Sequence, residues 1–324
     1  MVNLLWRTDL HLADESPASR TDVWADTLFD KLTQIGNLAR SERADAVIDG
    51  GDFFHLKSPG RNSHELVRRA AEVHKAYPCP TYVNVGNHDV KYGALEFLSE
   101  SPLSVLYGAG VFQRLYDEHE AIFTKGKVTV RVVGIPYHGT KYDLNRLTSL
   151  TKGSETYLVV AAHLLACPSG GTMYEGEDIL KYADLANLAP DVFAFGHWHR
   201  NQGIREIAPR KYVVNLGSLS RGSLTQDEMS RVPSVATMSF TEKGITIKEH
   251  PLRVRPPEEV FDLAGKARIE SREASVDALV ENIQKTVTPQ MTGSVIDEVR
   301  NRTDIPEVVR ERVLSYLELA EASR

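Results

Sequence analysis

The sequence predicts an α/β fold of two packed sheets flanked by helices, and three observations carry it. Apolar runs alternate with segments of helical period, the runs are short and rich in small or β-branched residues, and polar clusters stand at their carboxyl ends. The first run, Leu4-Leu5-Trp6, belongs to a strand that begins at Val2. A helix over about 21–42 follows, then the run Ala46-Val47-Ile48, a helix over about 63–77 and the run Thr81 to Val85. Further helices are expected over about 92–99, 143–151 and 177–187, and strands at Val128 to Ile135, Leu158 to Ala162, Val192 to Phe195 and Tyr212 to Asn215. Gly244 separates the runs Val235 to Phe240 and Ile245 to Glu249, the pattern of an antiparallel hairpin.

The pattern changes around Pro251 to Pro257. Pro256 and Pro257 interrupt any continuing element, which puts a boundary between residues 1–255 and 256–324. The C-terminal segment is charged, and helical in period over Val276 to Val287 and Pro306 to Ala320. Val309, Val313, Tyr316, Leu317 and Ala320 recur three and four residues apart as one apolar stripe, which either docks on its own domain or also meets a partner.

Five runs close on polar clusters, in the order Asp9-Leu10-His11, Gly51-Asp52-Phe53-Phe54-His55, Gly86-Asn87-His88-Asp89, His163 and Gly196-His197-Trp198-His199. The carboxyl ends of buried strands are where α/β sheets place their ligands. An Asp-x-His or His-x-His pair alone is more often a surface or capping pair, and a lone His163 more often a satisfied core histidine. Five in order, each closing a strand, point instead to a metal site with Asp9, His11, Asp52, Asn87, His163, His197 and His199 as donors. Asp9 and His11 alternate along a strand end and are expected on one side, as are His197 and His199. Two divalent ions about 3.5–4 Å apart can clamp a phosphoryl oxygen and make hydroxide from water near neutral pH. A bridging carboxylate keeps them that close, and Asp52 is the natural bridge. Two carboxylates against two dications leave about +2, and a hydroxide about +1, which suits a phosphodiester anion. With oxygen and nitrogen donors and no thiolate, structural zinc falls away and manganese is favoured, with iron, zinc or magnesium as substitutes. Gly50, Gly51, Gly86 and Gly196 stand where strand meets loop, where a sharp turn beside a crowded centre is expected.

The set resembles the calcineurin-like metallophosphoesterases. Their pattern is Asp-x-His, Gly-Asp, Gly-Asn-His-Asp or Glu, a lone His and Gly-His-x-His, all present here in order across about residues 4–200. Asn215-Leu216-Gly217-Ser218 is similar to the Asn-x-Gly-Ser strand end that comes next in the family. Within it, Gly51-Asp52-Phe53-Phe54-His55 resembles the Gly-Asp-x-Phe-His form of the SbcD-type nucleases of double-strand-break processing. The resemblance implies a four-layer αββα sandwich with a small helical C-terminal region. It implies that Asp9, His11, Asp52 and His199 hold one ion and Asp52, Asn87, His163 and His197 the other. His88 would stay off the metals and stabilise the phosphorane or protonate the leaving 3′ oxygen, with Asp89 fixing its ring, and His55 would steer a nucleic-acid strand. DNA is the implied substrate and an SbcC-like coiled-coil ATPase the implied partner, docked by the segment after the phosphoesterase domain; a homodimer is also open. Two other functions fit the same residues: a phosphodiesterase for a small substrate such as a cyclic nucleotide, and a non-catalytic scaffold of the same fold; a third, a protein phosphatase, has only the shared fold in its favour.

At 324 residues, 42% hydrophobic and 25% charged, the chain has room for one large core plus a small appendage. Its net charge of −6 opposes a nucleic-acid surface, yet residues 256–324 hold 14 acidic and 9 basic side chains, a net −5 that leaves −1 for residues 1–255. Lys57 and Arg61, flanking Ser58-Pro59-Gly60, are candidate DNA contacts, whereas Arg68 and Arg69 read as a solvated helix face. Cys79 and Cys167 lie far apart without ligand spacing, as expected of thiols in a reducing compartment. With its first strand at Val2 and no apolar run of membrane-spanning length, the protein is expected to be cytoplasmic and off the membrane.

Overall fold

Strands that read as near-continuous apolar runs need cover on both faces, and here they obtain it in two stacked sheets. The computed structural model describes residues 1–55, 62–169, 176–267, 295–303 and 306–322. Its strands, in chain order, are β1 (Val2–Arg7), β2 (Ala46–Asp49), β3 (Thr81–Val83), β4 (Phe112–Arg114), β5 (Ala121–Lys125), β6 (Val128–Ile135) and β7 (Tyr157–His163). After these come β8 (Ala166–Cys167), β9 (Leu180–Lys181), β10 (Val192–Gly196), β11 (Gly203–Ala208), β12 (Lys211–Asn215), β13 (Ser234–Thr241) and β14 (Gly244–Pro251). One sheet has the order β14-β13-β1-β2-β3-β4 and the other β11-β12-β10-β7-β6-β5, with β8 and β9 forming a small parallel pair. Each large sheet is parallel at its centre, with antiparallel pairing of β13 to β1 and to β14 in the first and of β11 to β12 and β5 to β6 in the second. The hairpin expected around Gly244 is the β13–β14 pair.

The period-two alternation of strands sorts their side chains into three cores. Leu4, Trp6, Ala46 and Ile48 meet Val130, Val159, Ala161, Val192 and Ala194 between the sheets. Leu5, Val47 and Val83 face outward onto α1 (Trp24–Ser41), whose Leu28, Leu32 and Ile35 cover them, and α2 (His64–Lys75) adds Leu66 and Ala70 to that core. On the far side, Val160, Ala162, Phe193 and Phe195 pack beneath Tyr142, Leu147, Tyr182 and Leu185. The result is the layered order helix, sheet, sheet, helix. Asn84, wholly buried at the end of β3, donates through Nδ2 to the carbonyls of Ile135 (2.8 Å) and Ala161 (3.0 Å), so one amide ties the first sheet to β6 and β7 of the second.

Several expected elements differ in extent. The helix expected over 143–151 shortens to Asn145–Thr148, and that over 177–187 becomes β9 followed by one turn, Tyr182–Leu185. The 92–99 segment is two 3₁₀ turns, Lys91–Gly93 and Leu95–Glu100, the first of them kinked where Tyr92 takes φ 56°. A helix not foreseen, α3 (Pro102–Gly108), starts on Ser101, whose Oγ accepts the Ser104 N–H, with Pro102 in the first turn where its missing N–H costs nothing.

The described chain forms two compact units, Met1–Phe261 and Asp262–Arg324. The first reaches Phe261 because that residue pairs with Arg20 in an isolated bridge and takes the Arg20 guanidinium over its ring at 4.8 Å. In the second unit, α4 (Val295–Asn301) and α5 (Glu307–Ala322) pack on one another, with Ile296, Val299 and Val313 buried. Of the apolar stripe, Val313 is covered, Val309 and Leu317 are half-buried and Tyr316 is exposed; the Ala320 side chain and the helix expected over Val276 to Val287 lie outside the described residues.

Candidate metal centre

The seven residues read as metal donors converge, though not by strand alternation. Strand β1 stops at Arg7 and β10 at Gly196, and Asp9, His11, Asp52 and His197 all have left-handed backbone, with φ of 54°, 53°, 53° and 85°. Each such residue costs on the order of 1–2 kcal/mol, so the surrounding bonds must hold it there. They do: the loops after β1 and β2 run side by side, Asp9 N–H donating to the Gly51 carbonyl (3.0 Å), His11 N–H to Asp52 (2.9 Å), Leu12 N–H to Phe53 (2.8 Å) and His55 N–H back to Leu12 (2.9 Å). Ser218, closing the Asn215-Leu216-Gly217-Ser218 stretch, clamps two ligand loops at once, its N–H donating to the His199 carbonyl (2.9 Å) and its Oγ to that of Asp9 (3.0 Å). Thr8 Oγ1 donates to Asp9 Oδ2 at 2.5 Å, and His197 N–H reaches both Asp9 oxygens at 3.1 Å.

Two donor groups share Asp52 between them. In one, His11 and His199 bring their Nε2 atoms to 2.9 Å, each 3.9 Å from Asp9 Oδ1, and His11 Nε2 is 3.7 Å from Asp52 Oδ2. In the other, His163 Nε2 is 3.3 Å from Asp52 Oδ2 and 3.2 Å from Asn87 Oδ1, with His197 completing the cluster. The Nδ1–H of His163 donates to the Gly50 carbonyl at 3.0 Å, which turns Nε2 toward the centre. Gly86 allows the approach: a Cβ there would sit 2.1 Å from Asp52 Oδ1 and 2.5 Å from Asp52 N. Gly51 alone of the four glycines has positive φ, 104°, so close packing, more than turning, is what the others supply.

This donor set fits divalent cations. Two imidazole nitrogens 2.9 Å apart require a proton or a cation between them, and His11 is held well below the usual imidazole range by burial and by His199, so it offers a lone pair at neutral pH. Burial alone would raise the Asp52 carboxyl, but His163 outweighs it and holds Asp52 well below the carboxylate range. The same pairing acts on His163: burial lowers it, and Asp52 lifts it to about 9. Buried carboxylate and imidazole in this number are the hard-to-borderline donors that manganese, iron and zinc accept.

His88 and His55 stand at the rim of the first group. His55 is exposed and stacks on His88, with ring centroids 5.2 Å apart and planes 14° apart, and His88 lies 4.8 Å from the His11 ring. The expectation that Asp89 fixes the His88 ring is corrected. Asp89 is spent on backbone, accepting the N–H groups of Asp52 (2.8 Å), Gly86 (2.9 Å) and Phe54 (3.0 Å), and the His55 carbonyl takes His88 Nδ1 at 3.0 Å. Lys57 and Arg61 lie outside the described residues. Arg68 is neutralised by Glu65 and Glu72, and Arg69 by Asp26.

Three features of the centre escape sequence reasoning. Beneath the loops, Arg7 and Asp49 form a buried ion pair (Nε to Oδ2, 2.7 Å), Arg7 also reaching His74 Nε2 at 2.8 Å while Asp49 Oδ1 accepts the Gly51 N–H at 3.0 Å. A charged residue inside each of two apolar runs was the available signal. Behind the Asp9 loop, Arg20, Lys31 and Arg231 donate to the carbonyls of Arg221 (2.9 Å), Leu219 (2.6 Å) and Ser220 (2.8 Å). Beside the second group, Glu177 Oε1 lies 3.0 Å from His197 Nε2. No local pattern announces the last two, because their partners are distant in sequence.

Two parallel-centred sheets with carboxylates and imidazoles gathered at their loop ends define a metallophosphoesterase. The chain belongs to the calcineurin-like phosphoesterase family, whose sequence pattern matches residues 4–201. A stretch of 123 residues, 37% of the chain, is 28% identical to the double-strand break repair protein mus-23 of Neurospora crassa, and spans 16% of that protein. A dimetal phosphatase from Danio rerio has the same fold, with a TM-score of 0.52 and 14% identity over 78% of this chain and 97% of its own. A purple acid phosphatase from yellow lupin, Lupinus luteus, matches 77% of this chain and 51% of its own at a TM-score of 0.47 and 12% identity.

Proposed function

We propose that the chain is a manganese-dependent nuclease hydrolysing phosphodiester bonds of DNA. What carries the reading is His55: an exposed imidazole stacked on His88 at the rim of the donor groups gives a strand, rather than a small diester alone, something to lie against. The similarity to a protein named for double-strand break repair supports the same substrate class. Divalent ions, when bound, polarise the phosphoryl oxygens and lower the pKa of the attacking water. Asp52 draws the two donor groups together, and Asp9, His11 and His199 on one side and Asn87, His163 and His197 on the other orient them around the phosphate. His88, tied through Nδ1 to the His55 carbonyl, turns Nε2 to the substrate, where it stabilises charge on the phosphorane and protonates the leaving 3′ oxygen. A coiled-coil ATPase partner, on this reading, meets the second unit at the exposed Val308 and Tyr316 rather than at the covered Val313.

Purified chain with manganese and end-labelled single- and double-stranded DNA tests the proposal, with bis-p-nitrophenyl phosphate as the small diester. DNA cleavage is expected, and His55→Ala should spare the small diester while impairing duplex digestion. Rapid turnover of the small diester with intact DNA would make the chain a small-substrate phosphodiesterase.

A further inference from the structure

His197 carries a hydrogen-bond partner that the five motifs do not contain. Its Nε2 lies 3.0 Å from Glu177 Oε1, and both side chains are nearly covered, 10% and 8% exposed. The same oxygen accepts the Tyr142 hydroxyl at 2.8 Å. That hydroxyl is itself the acceptor for the Leu165 N–H at 2.9 Å, so its one hydrogen is committed to Glu177. An ionised carboxylate only accepts, and His197 must therefore present a protonated Nε2. Lone-pair character then falls to Nδ1, the ring's other nitrogen, and His197 is grouped with Asp52 and His163.

His163, in the same cluster, is set the opposite way: its Nδ1–H is held by the Gly50 carbonyl and Nε2 points inward. Two imidazoles of one donor group thus need opposite tautomers, and each requires its own anchor. We propose that Glu177, braced by Tyr142, is a positioning residue that fixes His197 in the Nε2–H tautomer and so presents Nδ1 as the metal donor. Because Leu165 lies two residues beyond His163, the chain from Leu165 through Tyr142 and Glu177 to His197 also couples the two imidazoles mechanically. The inference rests on the reading of His197 as a ligand, not on DNA as the substrate.

The test is metal binding by the full chain, together with the histidine tautomer in the metal-free state. Manganese titration by calorimetry should show one of two ions binding about 10- to 100-fold more weakly in Glu177→Ala, the usual loss on removing such a partner, with the other ion unchanged. Glu177→Gln, which keeps an acceptor but not the charge, should fall between, and Tyr142→Phe should weaken the same ion less than Glu177→Ala. Long-range nitrogen–proton correlation spectra, with His197 assigned by its loss in His197→Gln, should show Nε2–H in the parent chain and a tautomer mixture in Glu177→Ala. A merely structural ion pair would lower the melting temperature without moving these readouts. Two ions bound at parental affinity in Glu177→Ala, or an Nδ1–H tautomer in the parent chain, would overturn the assignment of Glu177. A parent chain that binds no metal would overturn the ligand reading and this inference with it.

Discussion

His88 meets the centre through its backbone N–H and through neighbouring rings. Its N–H donates to Asp52 Oδ1 at 2.7 Å and its ring is steadied by His55; with His11 and His55 it makes a third cluster of possible donors, apart from the groups Asp9-His11-His199 and Asp52-His163-His197. His88→Ala keeps the backbone N–H and should leave metal content and melting temperature near those of the parent while turnover falls by about 10²–10⁴, the worth of a positioned acid. Metal analysis beside single-turnover kinetics checks this, and loss of metal would move His88 into the ligand shell. At this scale the sequence was most legible where residue type and position coincide: an Asp, Asn or His ending an apolar run has few other reasons to be there. Asp89 was misread because its motif neighbour is His88, whereas burial commits its carboxylate to three backbone N–H groups that sequence adjacency does not reveal. Glu177 was invisible because it and His197 stand 20 residues apart and only the folded chain brings them together.

Elements enter through how closely they bring these side chains together. The turn after β3 passes so near the Asp52 loop that Gly86 has no room for a methyl group, the first obstacle being Asp52 Oδ1 at 2.1 Å and the next Asp52 N at 2.5 Å. Gly86→Ala should therefore displace Asp52, lower the manganese occupancy of both groups and reduce activity by more than the loss in stability alone explains. Overpacking of this kind costs about 1–3 kcal/mol, which thermal melting will register. Parental metal affinity in that variant would show that the Asp52 loop yields without penalty. Buried strands such as β7 and β10 were plain in the sequence because both faces are apolar. Short strands at or near sheet edges, β4, β5 and β11, were not, since exposed positions there break the period-two signal. The left-handed turns at Asp9 and His11 were equally hidden, because they are imposed by pairing with the Asp52 loop and not by local preference.

Over the whole molecule, the layered fold could be read from the order of runs, but the electrostatics could not be read from the charge sum. A chain of net −6 gathers the buried side chains of Arg20, Lys31 and Arg231 against the 218–221 loop directly behind Asp9, where they hold the loop carbonyls. None of the described helices is long and apolar enough to cross a membrane. The account as a whole stands on two ions sharing Asp52. The direct measurement is manganese titration of the metal-free chain by calorimetry, with cleavage of labelled DNA followed at each equivalent, for the parent and for Asp52→Asn. The parent should bind two ions per chain and cleave only as the second is taken up, while Asp52→Asn, having lost the charge between two dications, should bind both weakly and lose activity by orders of magnitude. Near-parental turnover with one ion per chain, in either protein, would contradict the dinuclear centre.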